Sequence, residues 1–224
     1  MAGSTAALRA LILDYGNVLT HVQRDHWFEV MAAELGAPDD RFRDAYWGHR
    51  HAYDAGLSAH DYWRRVAEAA GRPVGDMPGP MIDRLVDMDV SSWAEYRDEV
   101  WDLARSFRAG GGRTAFLSNG VPETMSRLRA ERPLDRWFDV VVVSYEVGLA
   151  KPDPRIFELC LSRLGVHAGE ALFVDDRAEN VAAAERLGMR TLHFTGDDAT
   201  TRLLDAVRSR TRTRRSRSPS EKPG

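Results

Sequence analysis

The chain has 224 residues, 43% hydrophobic and 29% charged, which is enough for one ordinary core with a modest insertion and too little for a large multidomain assembly. A mean hydropathy of -0.42 with six Trp, eight Phe and six Tyr excludes wholesale disorder, because ample apolar surface is present to offset chain entropy. The formal charge of -3 is a cancellation, since residues 208–224 carry +6 and the remainder -9: an acidic body with a basic tail.

The N-terminus has no basic segment, and its first apolar run, 11–13, stops at Asp14, which argues against a signal peptide. A long stretch follows before the next such run, with apolar positions at helical spacing in Trp27, Phe28, Val30, Met31 and Leu35, then in Tyr62, Trp63 and Val66, then in Ile82, Leu85 and Val86. Ala37-Pro38 and Gly71-Arg72-Pro73 punctuate it as loops. A helix is expected over 93–109, ended by Gly110-Gly111-Gly112. Beyond it, nearly continuous apolar runs at 114–117, 140–143 and 171–174, with a weaker one at 191–194, alternate with helical patterns at 123–129, 154–164 and 178–187. Short continuous runs are what strands buried on both faces of a parallel sheet look like, and their alternation with helices predicts right-handed crossovers in an α/β fold.

This rhythm divides the chain into a core at 1–18 and 92–207, a helical cap at 19–91 inserted after the first strand, and a basic, disordered tail at 208–224. The lone Cys160 falls on the apolar stripe of 154–164 and reads as a core residue that cannot form an internal disulfide. No stretch approaches the roughly 18 apolar residues of a membrane span. A reducing cytoplasm is the expected location.

In an open parallel sheet, ligands gather beyond the carboxyl ends of the strands. Those positions hold Asp14 after the first run, Ser118-Asn119-Gly120 after the second, Lys151 in the segment following the third, and Asp175-Asp176 after the fourth. A carboxylate, a hydroxyl, an ammonium and two further carboxylates on one edge suit phosphoryl transfer. Asp14 would attack phosphorus, a divalent cation would relieve repulsion among the acids, Lys151 would offset negative charge, and Ser118 would bind phosphate oxygens. Both Asp175 and Asp176 can approach one ion only if the strand has ended there, and Asn180 is placed to order that loop.

With LILDYGNVL, TAFLSN, the lysine of GLAKPDPRIF and FVDDRAENV in that order, the chain resembles the haloacid dehalogenase-like (HAD) hydrolase superfamily over about residues 8 to 207. It is similar within it to bacterial glucose-1-phosphatase-type enzymes and to the phosphatase domain fused to epoxide hydrolases. The resemblance implies a Rossmann-like three-layer core with a parallel sheet, a helical cap, and magnesium as cofactor. It also implies Asp14, Ser118 and Lys151 as catalytic, with Ser118, Asn119 and Lys151 on the phosphate and Asp14, Gly16, Asp175 and Asp176 around the metal. One position departs from the superfamily's usual phosphatases. The second aspartate, which protonates the leaving group, is replaced by Gly16, as it is in the glucose-1-phosphatase-like relatives.

The expected activity is therefore magnesium-dependent hydrolysis of a small phosphate ester, such as a sugar 1-phosphate, whose leaving group needs less acid help. Alternatives are a 2-haloacid dehalogenase, against which the Asp175-Asp176 pair counts, and a non-catalytic HAD-fold regulatory or binding protein. Asp153 reads as an N-cap for the helix at 154. His49 and His51 do not share a helical face, so their spacing does not suggest a metal. Most of the aromatic cluster is expected in the core, with one or two of Tyr46, Trp47, His49, Tyr53 and Trp63 lining the pocket. No membrane is expected as a partner, nor nucleic acid despite the basic tail.

Overall fold

The computed structural model describes residues 7–215 apart from 74 and 76. One sheet contains five parallel strands, β1 Ala10–Leu13, β2 Arg113–Ser118, β3 Val140–Val143, β4 Ala171–Asp175 and β5 Arg190–His193, in the spatial order β3-β2-β1-β4-β5. Leu13 is level with Phe116 on one side and Val174 on the other. Asp14, Ser118 and Asp175 therefore emerge at the same edge.

A single wide turn, Tyr15–Leu19, leads from β1 into four helices, α1 Asp25–Leu35, α2 Asp39–Asp54, α3 Ala59–Ala69 and α4 Gly79–Ser92. The 11-residue helices α1 and α3 are too short to persist alone. Together the four helices bury Phe28, Met31, Phe42, Tyr46, Trp63 and Ile82 in a core of their own. Tyr53 and Tyr62 stack there at 4.4 Å between ring centroids. The chain enters and leaves this body along paired segments: Thr20 bridges Tyr96 in antiparallel fashion, and the Arg97 N–H donates to Leu19 O at 2.9 Å.

That pairing corrects the expected helix over 93–109. The following helix, α5 Asp98–Ala109, begins five residues later, because 95–97 are extended against 19–21 and the acidic pair Asp98-Glu99 favours a helix N-terminus.

Alternate strand residues serve opposite layers. Leu11, Leu13, Phe116 and Val174 meet α5 and the last helix, α10 Ala199–Arg215, following α6 Pro122–Glu131, the single turn α7 Ser144–Val147, α8 Pro154–Leu164 and α9 Ala178–Arg186. Ala10, Ile12, Leu117 and Phe173 meet α8 and α9, where Cys160 is fully buried. This is the expected α/β, Rossmann-like arrangement, with helices over both faces of a parallel sheet.

The C-terminal expectation is corrected in part. Residues 208–215 continue α10, which Leu203 and Val207 anchor on the core and whose arginines are good helix formers. Residues 216–224 lie outside the described set. No described helix is long and apolar enough to cross a membrane.

Candidate active site

Asp14 follows β1 and is 7% exposed. The ammonium of Lys151, itself buried, lies 2.7 Å from Asp14 Oδ1 and 2.6 Å from Asp175 Oδ2. Two loops fix that lysine. Asn119, just past β2, donates through Nδ2 to Lys151 O at 2.8 Å and accepts the Lys151 N–H at Oδ1, also at 2.8 Å. The Asn119 side chain thus serves Lys151, and only its backbone is left for an anion, which narrows the phosphate-binding role expected for it. Ser118 ends β2, is 2% exposed and lines the adjoining cavity, and its hydroxyl makes no hydrogen bond among the described residues.

β4 ends at Asp175 and the chain bends at Asp176, so the two acids leave strand alternation where both can face one point. Asp175 is fully engaged. Besides Lys151 it accepts the Arg177 N–H at 2.8 Å and Asn180 Nδ2 at 3.0 and 3.1 Å. Asn180 thus orders the loop through a carboxylate. Asp176 accepts one side-chain bond, from Asn17 Nδ2 at 2.7 Å, and Asn17 reaches it from a left-handed backbone at φ 58°.

Carboxylate oxygens of Asp14, Asp175 and Asp176 all lie within 4.8 Å of one another. Burial raises the Asp14 carboxyl to about 7 even against Lys151, and Asp175 and Asp176 push in the same direction. Burial also raises Asp176, opposed by the Asn17 bond. Lys151 is held above its ordinary value by Asp14 and Asp175 although burial alone would lower it. The cluster therefore holds three carboxylates against one ammonium, and all three ligand atoms are hard oxygens. That donor set fits a magnesium ion, with the Gly16 carbonyl in the same loop. Asp176 and Asp14 have oxygens to offer, whereas Asp175 is already taken up by protein donors.

A cavity of about 300 Å³ opens over Asp14. Trp47, Arg50, His51 and Asp54 from α2 cover it, and Trp93 at the end of α4 closes the side against Gly16. Of the aromatic and histidine candidates, only Trp47 lines it. Tyr46, Tyr53 and Trp63 lie in the insertion's own core, and His49 faces away. Arg50, Asp54 and Trp93 were not visible as site residues in the sequence. Arg50 and Asp54 are four apart on a helix and look like an ordinary surface ion pair, and Trp93 looks like a core aromatic. Asp153 accepts the Arg155 N–H at 2.9 Å and caps α8, away from the chemistry.

Residues 8–188 match the haloacid dehalogenase-like hydrolase family. The chain belongs to that family. It is 26% identical over 198 residues to D-ribitol-5-phosphate phosphatase of Bacteroides thetaiotaomicron, covering 82% of this chain and 90% of that one. It is 33% identical over 137 residues to (S)-2-haloacid dehalogenase 4A of Burkholderia cepacia, covering 60% and 59%. It spans between 9% and 60% of the length of six further curated relatives. A HAD family enzyme of Bacteroides thetaiotaomicron solved with magnesium and inorganic phosphate superposes with a TM-score of 0.67 at 20% identity, over 85% of this chain and 96% of that one, a likeness of fold. The HAD chain described here is thus a hydrolase with phosphatases among its relatives.

Proposed function

We propose that this HAD hydrolase is a magnesium-dependent phosphatase of a small phosphorylated metabolite, with a sugar 1-phosphate as the leading candidate. The observation that carries the reading is Lys151 bridging Asp14 and Asp175 with Asp176 beside them, under the cavity that α2 covers. The insertion at 19–91 acts as a cap over a core formed by 1–18 and 92–207.

Asp14 Oδ2 makes no hydrogen bond among the described residues and is the attacking atom. Its bond to phosphorus forms as the ester P–O bond breaks, which leaves an aspartyl-phosphate, and the departing oxygen takes up a proton from solvent water. Water then attacks phosphorus, and the Asp14–phosphate bond breaks to release inorganic phosphate. Lys151 favours the ionised form of Asp14 against the burial that raises it and faces the equatorial oxygens, and the Ser118 hydroxyl donates to one of them. A bound magnesium ion would supply positive charge to the phosphoryl oxygens, held by Asp14, Asp176 and the Gly16 carbonyl. Gly16 brings no proton donor, so esters whose leaving group departs easily, such as anomeric phosphates, suit the site. The phosphatase relative and the magnesium- and phosphate-bound fold neighbour support the reading.

Phosphate release from a panel of sugar phosphates, with and without magnesium and with Asp14→Asn in parallel, tests it. Release that survives the substitution overturns the mechanism. A folded wild type that releases nothing overturns the activity.

A further inference from the structure

The cap side of the cavity holds a buried charge cluster that the phosphoryl chemistry does not use. Arg50, 8% exposed, donates from Nε to Asp54 Oδ1 at 2.9 Å and from Nη1 to Tyr46 Oη at 2.9 Å and to both oxygens of Asp89 at 3.2 and 3.3 Å. One guanidinium thus faces two carboxylates, and the group carries a net negative charge. Two atoms of the pair that lines the cavity, Arg50 Nη2 and Asp54 Oδ2, make no hydrogen bond among the described residues. Of the other Lys and Arg side chains on the wall, Lys151 is paired with Asp14 and Asp175 in the interior, and Arg177, half exposed, is paired with Glu179 at 2.6 Å.

We propose that Asp54 and Arg50 form the leaving-group subsite, which selects an uncharged, hydroxyl-bearing leaving group and turns away one that carries a carboxylate. The inference rests on the phosphatase reading and specifies its substrate class. A hydroxyl can donate to Asp54 Oδ2 while a neighbouring one accepts from Arg50 Nη2, and the rings of Trp47 and Trp93 offer apolar surface to the C–H groups between them. A carboxylate in the same place meets Asp54, and the one guanidinium beside it, Arg50, already shares its charge between Asp54 and Asp89, so like charges outnumber it in a confined site.

The subsite is also held in register with the phosphate end. Ser144 Oγ donates to Asp54 O at 2.6 Å and accepts the Gly120 N–H at 3.2 Å, in the loop that follows Ser118. A buried serine therefore joins the cap helix to the phosphate loop.

The test uses esters matched except for the charge: glucose 1-phosphate against glucuronic acid 1-phosphate, and glycerol 3-phosphate against 3-phosphoglycerate, with 4-nitrophenyl phosphate as a measure of activity that does not depend on such a match. Wild type is expected to favour the uncharged member by roughly 100-fold in kcat/KM. Asp54→Asn shrinks that ratio about tenfold, chiefly by improving the carboxylate ester, whereas Asp54→Glu keeps the exclusion because it keeps the charge. Equal use of the members by wild type, or a preference for the acid, overturns the inference while leaving the phosphatase reading intact, and so does a folded Asp54→Asn with an unchanged ratio. No release from any ester, 4-nitrophenyl phosphate included, overturns both.

Discussion

Gly16 and Trp93 compete for one volume: a Cβ on Gly16 would stand 3.1 Å from Trp93 Cζ3 and 3.6 Å from Cη2. The position where related phosphatases carry an acid is therefore closed by an indole, and the glycine is a packing requirement as much as a missing functional group. Gly16→Asp alone should not create a general acid. We expect it to lower stability by about 1–3 kcal/mol, the usual range for overpacking, and to slow phosphate release. Gly16→Asp combined with Trp93→Ala removes the conflict, and relative to Trp93→Ala alone it should raise hydrolysis of alkyl phosphates. Thermal unfolding and rates on esters of graded leaving groups check both parts.

Among the described residues, Lys151 is the sole cation bonded to both Asp14 and Asp175. Lys151→Met, similar in length and uncharged, leaves two buried carboxylates facing each other and should cost about 3–5 kcal/mol of stability at pH 8. As the pH falls, Asp14, whose carboxyl burial already raises to about 7 with Lys151 present, takes up a proton, the repulsion disappears and the deficit against wild type should narrow. Denaturant unfolding at several pH values reads this directly. A deficit that is constant across pH contradicts the assignment.

Cation binding has its own signature, independent of turnover. An ion that binds the folded chain only, at 100 times its Kd, adds about 2.7 kcal/mol. In a chain of this size that corresponds to about 5–10 °C in Tm. Magnesium should produce such a shift in wild type, and Asp176→Asn should reduce it sharply, because Asp176 has oxygens that no protein donor claims beyond Asn17. Calorimetry with increasing magnesium is the measurement.

Asp139 joins layers far from the site. Its oxygens accept the Thr114 N–H at 2.9 Å and Arg108 Nε at 2.9 Å. Against the cost of partial burial, these bonds and the Arg108 and Arg113 charges hold the carboxyl below its ordinary value. A carboxyl depressed in the folded state stabilises above its unfolded value, and that contribution is lost as the pH falls through the folded one. Asp139→Asn should therefore lower Tm at pH 7 and make little difference at pH 2. Melting curves across that range test the sign.

The strands were legible because burial on both faces leaves unbroken apolar runs, and residues just past such runs in a parallel sheet must share an edge. Asp14, Ser118, Lys151 and the Asp175-Asp176 pair follow from that geometry together with family likeness. What sequence did not disclose depends on contacts between distant segments. Nothing local links Gly16 to Trp93, the Arg50–Asp54 pair looks like any exposed helical pair until α2 is laid over the cavity, and Asn119 looks like a phosphate ligand until Lys151 claims its amide. The late start of α5 has the same origin, since the partner that keeps 95–97 extended lies near residue 20.

The bridge between Thr20 and Tyr96 brings the two ends of the insertion side by side. Seen from β1 and β2, everything between those two residues is one tight loop, whatever its length. On the phosphatase reading, a graft that kept the packing of Trp93 on Gly16 and of Asp54 on Ser144 would leave each strand beside its present neighbours and exchange the leaving-group side of the site as one contiguous stretch of chain.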